Sequence, residues 1–65
     1  LDLAAAVDAL TPRLRDVFVL HDVMGFRAAE IAEQLGLAEL TVRSHVARAR
    51  SALRDRLRDD GDRGR

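Results

Sequence analysis

The segment Thr41–Arg50 concentrates hydrogen-bond donors at spacings that place them on one side of a helix. Apolar residues recur at Val42, Val46 and Ala49, the period of a helix with one buried stripe. The other positions then turn a polar set outward: Arg43, Ser44, His45, Arg48 and Arg50. An arginine fork binds phosphate or guanine through two bonds, and a helix of this kind suits the major groove of DNA. The segment therefore predicts a recognition helix.

The residues before this segment predict the element that positions it. Ala28–Leu35 has the pattern of a short amphipathic helix, and Gly36 favours a tight turn after it. The N–H groups at the start of that helix, with Arg27 beside them, are suited to hold a phosphate. In the following helix, Arg43 and Arg48 are placed for base edges. Arg50 and Arg54, further along, are better placed for phosphates.

The rest of the chain predicts two more helices and no strand, and so a small all-α, four-helix domain with a helix-turn-helix. Thr11-Pro12 signals a helix start, with the Thr11 hydroxyl as the N-cap and Pro12 at the first helical position, and Gly25 signals a helix end. Leu14, Val17, Phe18 and His21 form one stripe, which Val23 and Met24 widen, and Phe26 is expected to fold onto the core. The predicted helices are about 1–10, 12–24, 28–35 and 39–58. The domain is 1–58, followed by a disordered polar tail at 59–65.

Composition fits binding better than catalysis. The 65 residues form one small domain without cysteine, which fits a cytoplasmic location, and no apolar run predicts a membrane span. No nucleophile–base pair, metal cluster or phosphate loop stands out, so we expect no enzyme activity and no cofactor. The net charge is zero, but residues 1–37 carry three arginines against six acids, and residues 38–65 carry eight against five. The basic excess therefore lies in the predicted DNA-binding half.

These residues resemble region 4 of bacterial sigma factors, most closely the extracytoplasmic-function group of the sigma-70 family. The resemblance extends from about Val7 to Leu57. It rests on Leu10-Thr-Pro-Arg-Leu-Arg-Asp-Val-Phe-Val-Leu20, Gly25, Glu30-Ile-Ala-Glu-Gln-Leu-Gly36, Thr41-Val-Arg-Ser-His45 and Arg48-Ala-Arg50. It implies recognition of the −35 element of double-stranded promoter DNA, in transcription initiation by core RNA polymerase. It also implies docking of apolar surface on the polymerase β flap, and regulation by an anti-sigma factor.

The resemblance also implies roles for single residues. The side chains in the groove would be Arg43, Ser44, His45, Ala47 and Arg48, and Arg27 and Ala29 would contact the DNA backbone. The full expected DNA-binding set is Arg27, Ala29, Leu40, Thr41, Arg43, Ser44, His45, Ala47, Arg48, Arg50 and Arg54. The chain departs from the family pattern at Ala38, Leu40, His45 and Ala47. An exposed Leu40 would contact a thymine methyl or a partner.

Two other interpretations stay open. Leu10-Thr-Pro-Arg and Thr41-Val-Arg-Ser-His-Val46 also fit the DNA-binding domain of a LuxR-type regulator, although the unbroken run Arg48-Ala-Arg-Ser-Ala-Leu53 favours the sigma family. That rival predicts a stable dimer, whereas the sigma interpretation predicts a monomeric isolated domain. A third interpretation is a domain that works mainly by binding an anti-sigma factor or another regulator, through apolar surface around Leu3, Val7 and Val19.

Overall fold

The chain folds into four α-helices, as the sequence predicts. The computed structural model describes the backbone of residues 3–63 and the side chains of residues 3–58. The helices are α1 (Leu3–Asp8), α2 (Pro12–Phe18), α3 (Ala28–Leu35) and α4 (Glu39–Arg63), and a π-helical turn (Val19–Val23) continues α2. No strand occurs in this described part, so the fold is all-α.

The start of α2 only partly follows the expected chemistry. Pro12 occupies the first turn, and the Thr11 carbonyl accepts a 2.9 Å hydrogen bond from the Arg15 N–H. The Thr11 hydroxyl makes no capping bond with any described residue, so its expected role as a side-chain cap is wrong. The helix begins there because Pro12 fixes a helical φ and needs no hydrogen-bond acceptor.

The predicted regular helix over 12–24 ends instead in the wider π turn. The Met24 N–H donates to the Val19 carbonyl, five residues back, at 2.9 Å. This extra residue in the turn rotates the following side chains away from the core. Val23 is 67% exposed, Met24 60% and Phe26 38%, so the expectation that they are core residues is wrong. Gly25 ends the helix as predicted, with a φ of +82°.

The turn between α3 and α4 forms as the sequence indicates. Gly36 has a φ of +69°, which glycine adopts without the steric cost of a Cβ. The Leu37 N–H donates to the Ala32 carbonyl at 2.9 Å, and the Leu37 side chain packs on the core. The Ala38 carbonyl accepts the first bond of α4 from the Val42 N–H at 3.1 Å. The turn is thus fixed by backbone bonds and by one apolar side chain.

The core is divided into two clusters that share α4. The first joins α2, α3 and the beginning of α4, and its buried members are Val17, Ala28, Ile31, Ala32, Val42 and Val46. The second joins α1 to the middle of α4, and its buried members are Ala6, Leu10, Ala49 and Leu53. Val7, Leu14 and Phe18 pack half-buried against the second cluster. The stripe predicted for α4 is therefore buried, and it holds both halves together.

The ends of the chain differ from the expected bounds. The backbone of α4 is helical to Arg63, five residues beyond the predicted end, and includes part of the predicted disordered tail. A lone Gly61 costs a helix only about 1 kcal/mol relative to alanine, so it does not have to end one. At the other end, α1 stops at Asp8, before the predicted Leu10. The expectations for Leu1, Asp2, Gly64 and Arg65 lie outside the described residues.

Candidate DNA-binding surface

An open groove lies between the start of α3 and the first half of α4. Its volume is about 560 Å³. We call it the α3–α4 groove, and its lining residues are His21, Arg27, Ala28, Ala29, Glu39, Arg43, Val46, Ala47 and Arg50. Five of them belong to the predicted DNA-binding set, namely Arg27, Ala29, Arg43, Ala47 and Arg50. The fold therefore brings together both parts of the expected surface, which are separate in the sequence.

The α3 side of the groove is ordered by a local cap. Arg27 precedes the helix in extended conformation, and its N–H donates to the Glu30 carboxylate at 2.9 Å. Glu30 thus fixes the direction in which the chain enters α3. The remaining N–H groups of the first helical turn carry the positive end of the helix dipole. The exposed Arg27 adds a cation to this wall of the groove, and the Glu30 carboxylate adds a negative charge at the same helix start.

The α4 side presents an exposed face that begins at the turn. Leu40 is 79% exposed, and Arg43, Ser44, Ala47 and Arg48 are exposed as well. The buried Val42 and Val46 on the other side of the helix hold this face outward. Five predicted contact residues therefore lie where a ligand can reach them. Arg54, predicted further along α4, is also exposed.

Arg43 forms an ion pair within α4. Its Nη2 donates to the Glu39 carboxylate at 2.9 Å, one helical turn earlier. Both side chains are largely exposed, and ion pairs of this kind contribute little to stability because water screens them. Glu39 therefore orients Arg43 along the helix through a weak ion pair. A base or a phosphate can replace Glu39 as the acceptor of the Arg43 hydrogen bond.

His45 and Thr41 lie at the edge of the buried stripe and are half-buried. His45 was expected to turn outward and does so only in part, because it borders the buried stripe formed by Val42 and Val46. Nδ1 of His45 is buried and has no hydrogen-bond partner among the described residues. Both residues thus offer a ligand only part of their side chains.

Arg50 is tied to the π turn by a contact that the sequence did not reveal. Its Nε and Nη2 donate to the two carboxylate oxygens of Asp22 at 2.7 and 2.6 Å. His21 Nδ1 lies 2.6 Å from Asp22 Oδ1, so a second donor holds the same carboxylate. The Arg50 bonds, followed by those of His21, lower the pKa of Asp22 from 3.8 to about 2, although burial opposes the shift. Asp22 in turn raises the pKa of Arg50.

This pairing changes the expectation for two residues. Arg50 was predicted to contact a phosphate. In the structure, the N–H groups along one side of its guanidinium, on Nε and Nη2, already donate to Asp22. From the sequence alone, Asp22 had no predicted role beyond its contribution to the six acidic residues of positions 1–37. No sequence signal marks the pair, because the partners are 28 residues apart and the π turn decides where Asp22 lies.

The described residues offer no obvious site for other chemistry. No three of their histidine, aspartate or glutamate side chains are grouped so as to hold a metal ion. None of the helices in the same part of the chain is long and apolar enough to cross a bilayer.

Comparison with known proteins agrees with the helix-turn-helix geometry. The family described as sigma-70, region 4 matches residues 1–53. The chain is 46% identical over 56 residues to the ECF RNA polymerase sigma factor SigE of Mycolicibacterium smegmatis, covering 86% of this chain and 22% of that protein. It is 42% identical over 53 residues to the ECF RNA polymerase sigma factor SigG of Mycobacterium tuberculosis, covering 82% of this chain and 14% of that protein.

The chain thus spans at most about a fifth of the length of these relatives. No solved structure matches it significantly. The family match covers most of the chain, including α1 to α3 and the half of α4 that bears the exposed face. It agrees with the sigma resemblance and lends no support to the LuxR-type alternative. The chain belongs to the sigma-70 region 4 family.

Proposed function

We propose that the chain recognises the −35 element of promoter DNA as part of an alternative sigma factor, and so helps to direct RNA polymerase in transcription initiation. The observation that carries the proposal is the exposed face of α4, which starts at the helix-turn-helix and adjoins Arg27 and the start of α3 across the α3–α4 groove. The names of its relatives, which are RNA polymerase sigma factors, agree with it.

The geometry suggests how the contacts are divided. Arg43, Ser44 and Arg48 enter the major groove and donate to base edges, where an arginine fork prefers guanine. The start of α3 and Arg27 bind the DNA backbone, and the small Ala29 lets a phosphate approach the helix N–H groups. Arg54 contacts a phosphate further along. Base contacts supply sequence preference, whereas phosphate contacts supply register and affinity.

The affinity of the isolated chain for DNA should be low. The net charge is zero, and two arginines of the groove are already paired with acids, Arg43 with Glu39 and Arg50 with Asp22. Neutralising DNA phosphates supplies much of the affinity of a protein for DNA. These two arginines must compete with their own acidic partners to do so, and this lowers the affinity. Attachment to polymerase raises the local concentration of the domain at a promoter and compensates for weak binding.

A second surface favours a protein partner. We call Val23, Met24 and Phe26 the apolar patch, because all three are large, apolar and exposed. Beside them lies a cleft of about 180 Å³, whose lining includes Leu20, Met24, Phe26 and Ile31. An exposed apolar patch beside a cleft is typical of a protein-binding site. This patch is a candidate contact for the polymerase β flap or for an anti-sigma factor, and it supports the alternative in which regulator binding is the main role.

The decisive experiment is a selection of bound DNA sequences with reconstituted polymerase and a sigma factor that carries this chain. It is repeated with Arg43→Ala, Arg48→Ala and, as a matched control, Arg56→Ala, an exposed arginine two turns beyond Arg48 on α4. The first two variants should relax the preference at one or two base pairs, at a cost of roughly 1–3 kcal/mol for each lost bidentate contact. Arg56→Ala should leave the selected sequence unchanged.

Two results would count against the proposal. The base-reading assignment is wrong if neither Arg43→Ala nor Arg48→Ala alters the selected sequence. The inference of weak binding is wrong if the isolated chain binds a promoter duplex with nanomolar affinity at physiological salt.

A further inference from the structure

The Asp22–Arg50 pair lies at one edge of the α3–α4 groove, and its two members differ in accessibility. The Arg50 side chain keeps 52% of its exposure, whereas the Asp22 side chain keeps 20%. Asp22 is also held from the other side by His21. Arg50 lines the groove, whereas Asp22 is not among the lining residues, so a ligand in the groove contacts the guanidinium first.

The hydrogen-bond pattern leaves part of Arg50 available. A guanidinium has five N–H donors, and Asp22 takes one from Nε and one from Nη2. The other three include the end-on pair on the two Nη atoms, and no described residue accepts from them. Because the group is planar, a carboxylate bound along its side fixes the direction of its end. Two oxygens of a phosphate match that end-on pair.

We propose that Asp22 is a positioning residue for phosphate binding: it holds Arg50 side-on so that the end-on N–H groups of Arg50 bind a DNA phosphate at the α3–α4 groove. The inference rests on the proposed DNA-binding function. It gives a role in DNA binding to Asp22, a residue of the π turn that lies outside the helix-turn-helix.

Orientation and charge make opposite predictions here. Neutralising an acid near DNA removes a repulsion, so electrostatics alone predicts that Asp22→Asn tightens binding. Positioning predicts the reverse, because an unheld arginine would have to lose its rotational freedom to bind the phosphate, and this cost leaves the contact mostly unformed. The sign of the change in affinity therefore distinguishes a residue that positions Arg50 from one that merely competes for it.

The test measures binding of the full chain to a fluorescent duplex carrying the sequence recovered by the selection above, over a series of low salt concentrations. Asp22→Asn should weaken binding roughly three- to tenfold, the cost of immobilising one long side chain. It should also lower the slope of affinity against salt by about one phosphate contact. Asp16→Asn is the matched control, since Asp16 is exposed on α2 and the charge change is the same. It should leave affinity unchanged or slightly higher.

Further variants separate positioning from folding. Arg50→Ala should reproduce the loss of Asp22→Asn, and the double variant should be no worse than Arg50→Ala. Asp22→Glu keeps the charge and should restore part of the salt slope. The helical circular dichroism signal checks that each variant is folded at the assay temperature, and a loss caused by unfolding would not change the salt slope of the folded fraction.

The outcomes are distinct. The positioning role is overturned if the wild-type chain binds the duplex and Asp22→Asn binds as well as or better than Asp16→Asn. If neither the isolated chain at low salt nor the polymerase-bound sigma factor that carries it binds the duplex, the proposed function fails, and the positioning role fails with it.

Discussion

Asp22 accepts two hydrogen bonds from Arg50, at 2.6 and 2.7 Å, and thereby joins the π turn to the middle of α4. The bonds cross the boundary between α4 and the helix that precedes the helix-turn-helix. The relative placement of these two elements thus depends on a charged contact as well as on apolar packing. The contact is also open to a test that needs no DNA.

Acid should weaken the fold partly through Asp22. The Arg50 contact lowers the pKa of Asp22 from 3.8 to about 2, so the folded chain binds this proton more weakly than the unfolded chain does. The contribution of Asp22 to stability is therefore complete above about pH 4 and is lost as the pH falls toward 2. Urea unfolding at several pH values should show wild type more stable than Asp22→Asn at neutral pH, with a gap that closes in acid. A gap that stays constant from pH 6 to about pH 2 would refute this assignment.

Leu40 should read a thymine methyl. It is the most exposed large apolar side chain of the described chain, and it lies on the face that carries Arg43 and Ser44. Replacing one thymine of the selected site by deoxyuridine removes only the methyl group. That change should weaken wild-type binding about fourfold, or about 0.8 kcal/mol, at the contacted position.

The same DNA change should have no effect on Leu40→Ala, whereas Ser44→Ala should keep the methyl effect. Fluorescence anisotropy with each thymine replaced in turn would locate the contact. Equal losses for wild type and Leu40→Ala at every thymine would show that Leu40 contacts a protein partner or solvent instead.

Ile31 should dominate the stability of the first cluster. It is 1% exposed and is the largest of the fully buried side chains. Ile31→Val should cost about 0.5–1.5 kcal/mol and Ile31→Ala about 2–5 kcal/mol. A domain of this size has a stability of roughly 3–10 kcal/mol, so Ile31→Ala should leave a large unfolded fraction. Urea unfolding checks this, with the exposed Leu40→Ala expected within about 0.5 kcal/mol of wild type.

The apolar patch should bind protein and not DNA. Met24→Asp places a charge in the patch at a position that is already exposed, so the fold should tolerate it. It should weaken association with core polymerase at least roughly tenfold, because burying a methionine contributes about 1.5–3 kcal/mol. DNA binding by the isolated chain should change little. Thr11→Asp, an exposed position outside the patch, is the control, and equal effects of the two variants would exclude a specific contact at Met24.

Local sequence signals were sufficient to place most of the residues of the candidate DNA-binding surface on exposed faces of α3 and α4. The predicted bounds of α3 agree with the structure, because Gly36 ends it and its three apolar positions face the core. The buried stripe from Val42 to Leu53 could also be predicted, because helical periodicity is a local property of the sequence. The exposed positions of Arg43 and Arg48 follow directly from that stripe.

The features that the sequence concealed are those that depend on one element meeting another. Met24 continues the apolar period of α2, and nothing local indicates the extra residue of the π turn that turns it to solvent. The pairing of Asp22 with Arg50 depends on the same π turn and on the crossing of two helices. Gly61 suggested the end of a helix, but one glycine is a weak stop when the residues around it favour helix.

The division of the core between two clusters on one helix has a consequence for local unfolding. The cluster that holds α1 has four buried members, two of them alanines, whereas the other contains Val17, Ile31, Val42 and Val46. Detaching α1 exposes much less apolar surface than opening the rest, so its amide protons should exchange with solvent well before those of α3. The half of the molecule that bears the exposed face of α4 can therefore stay folded while α1 is released.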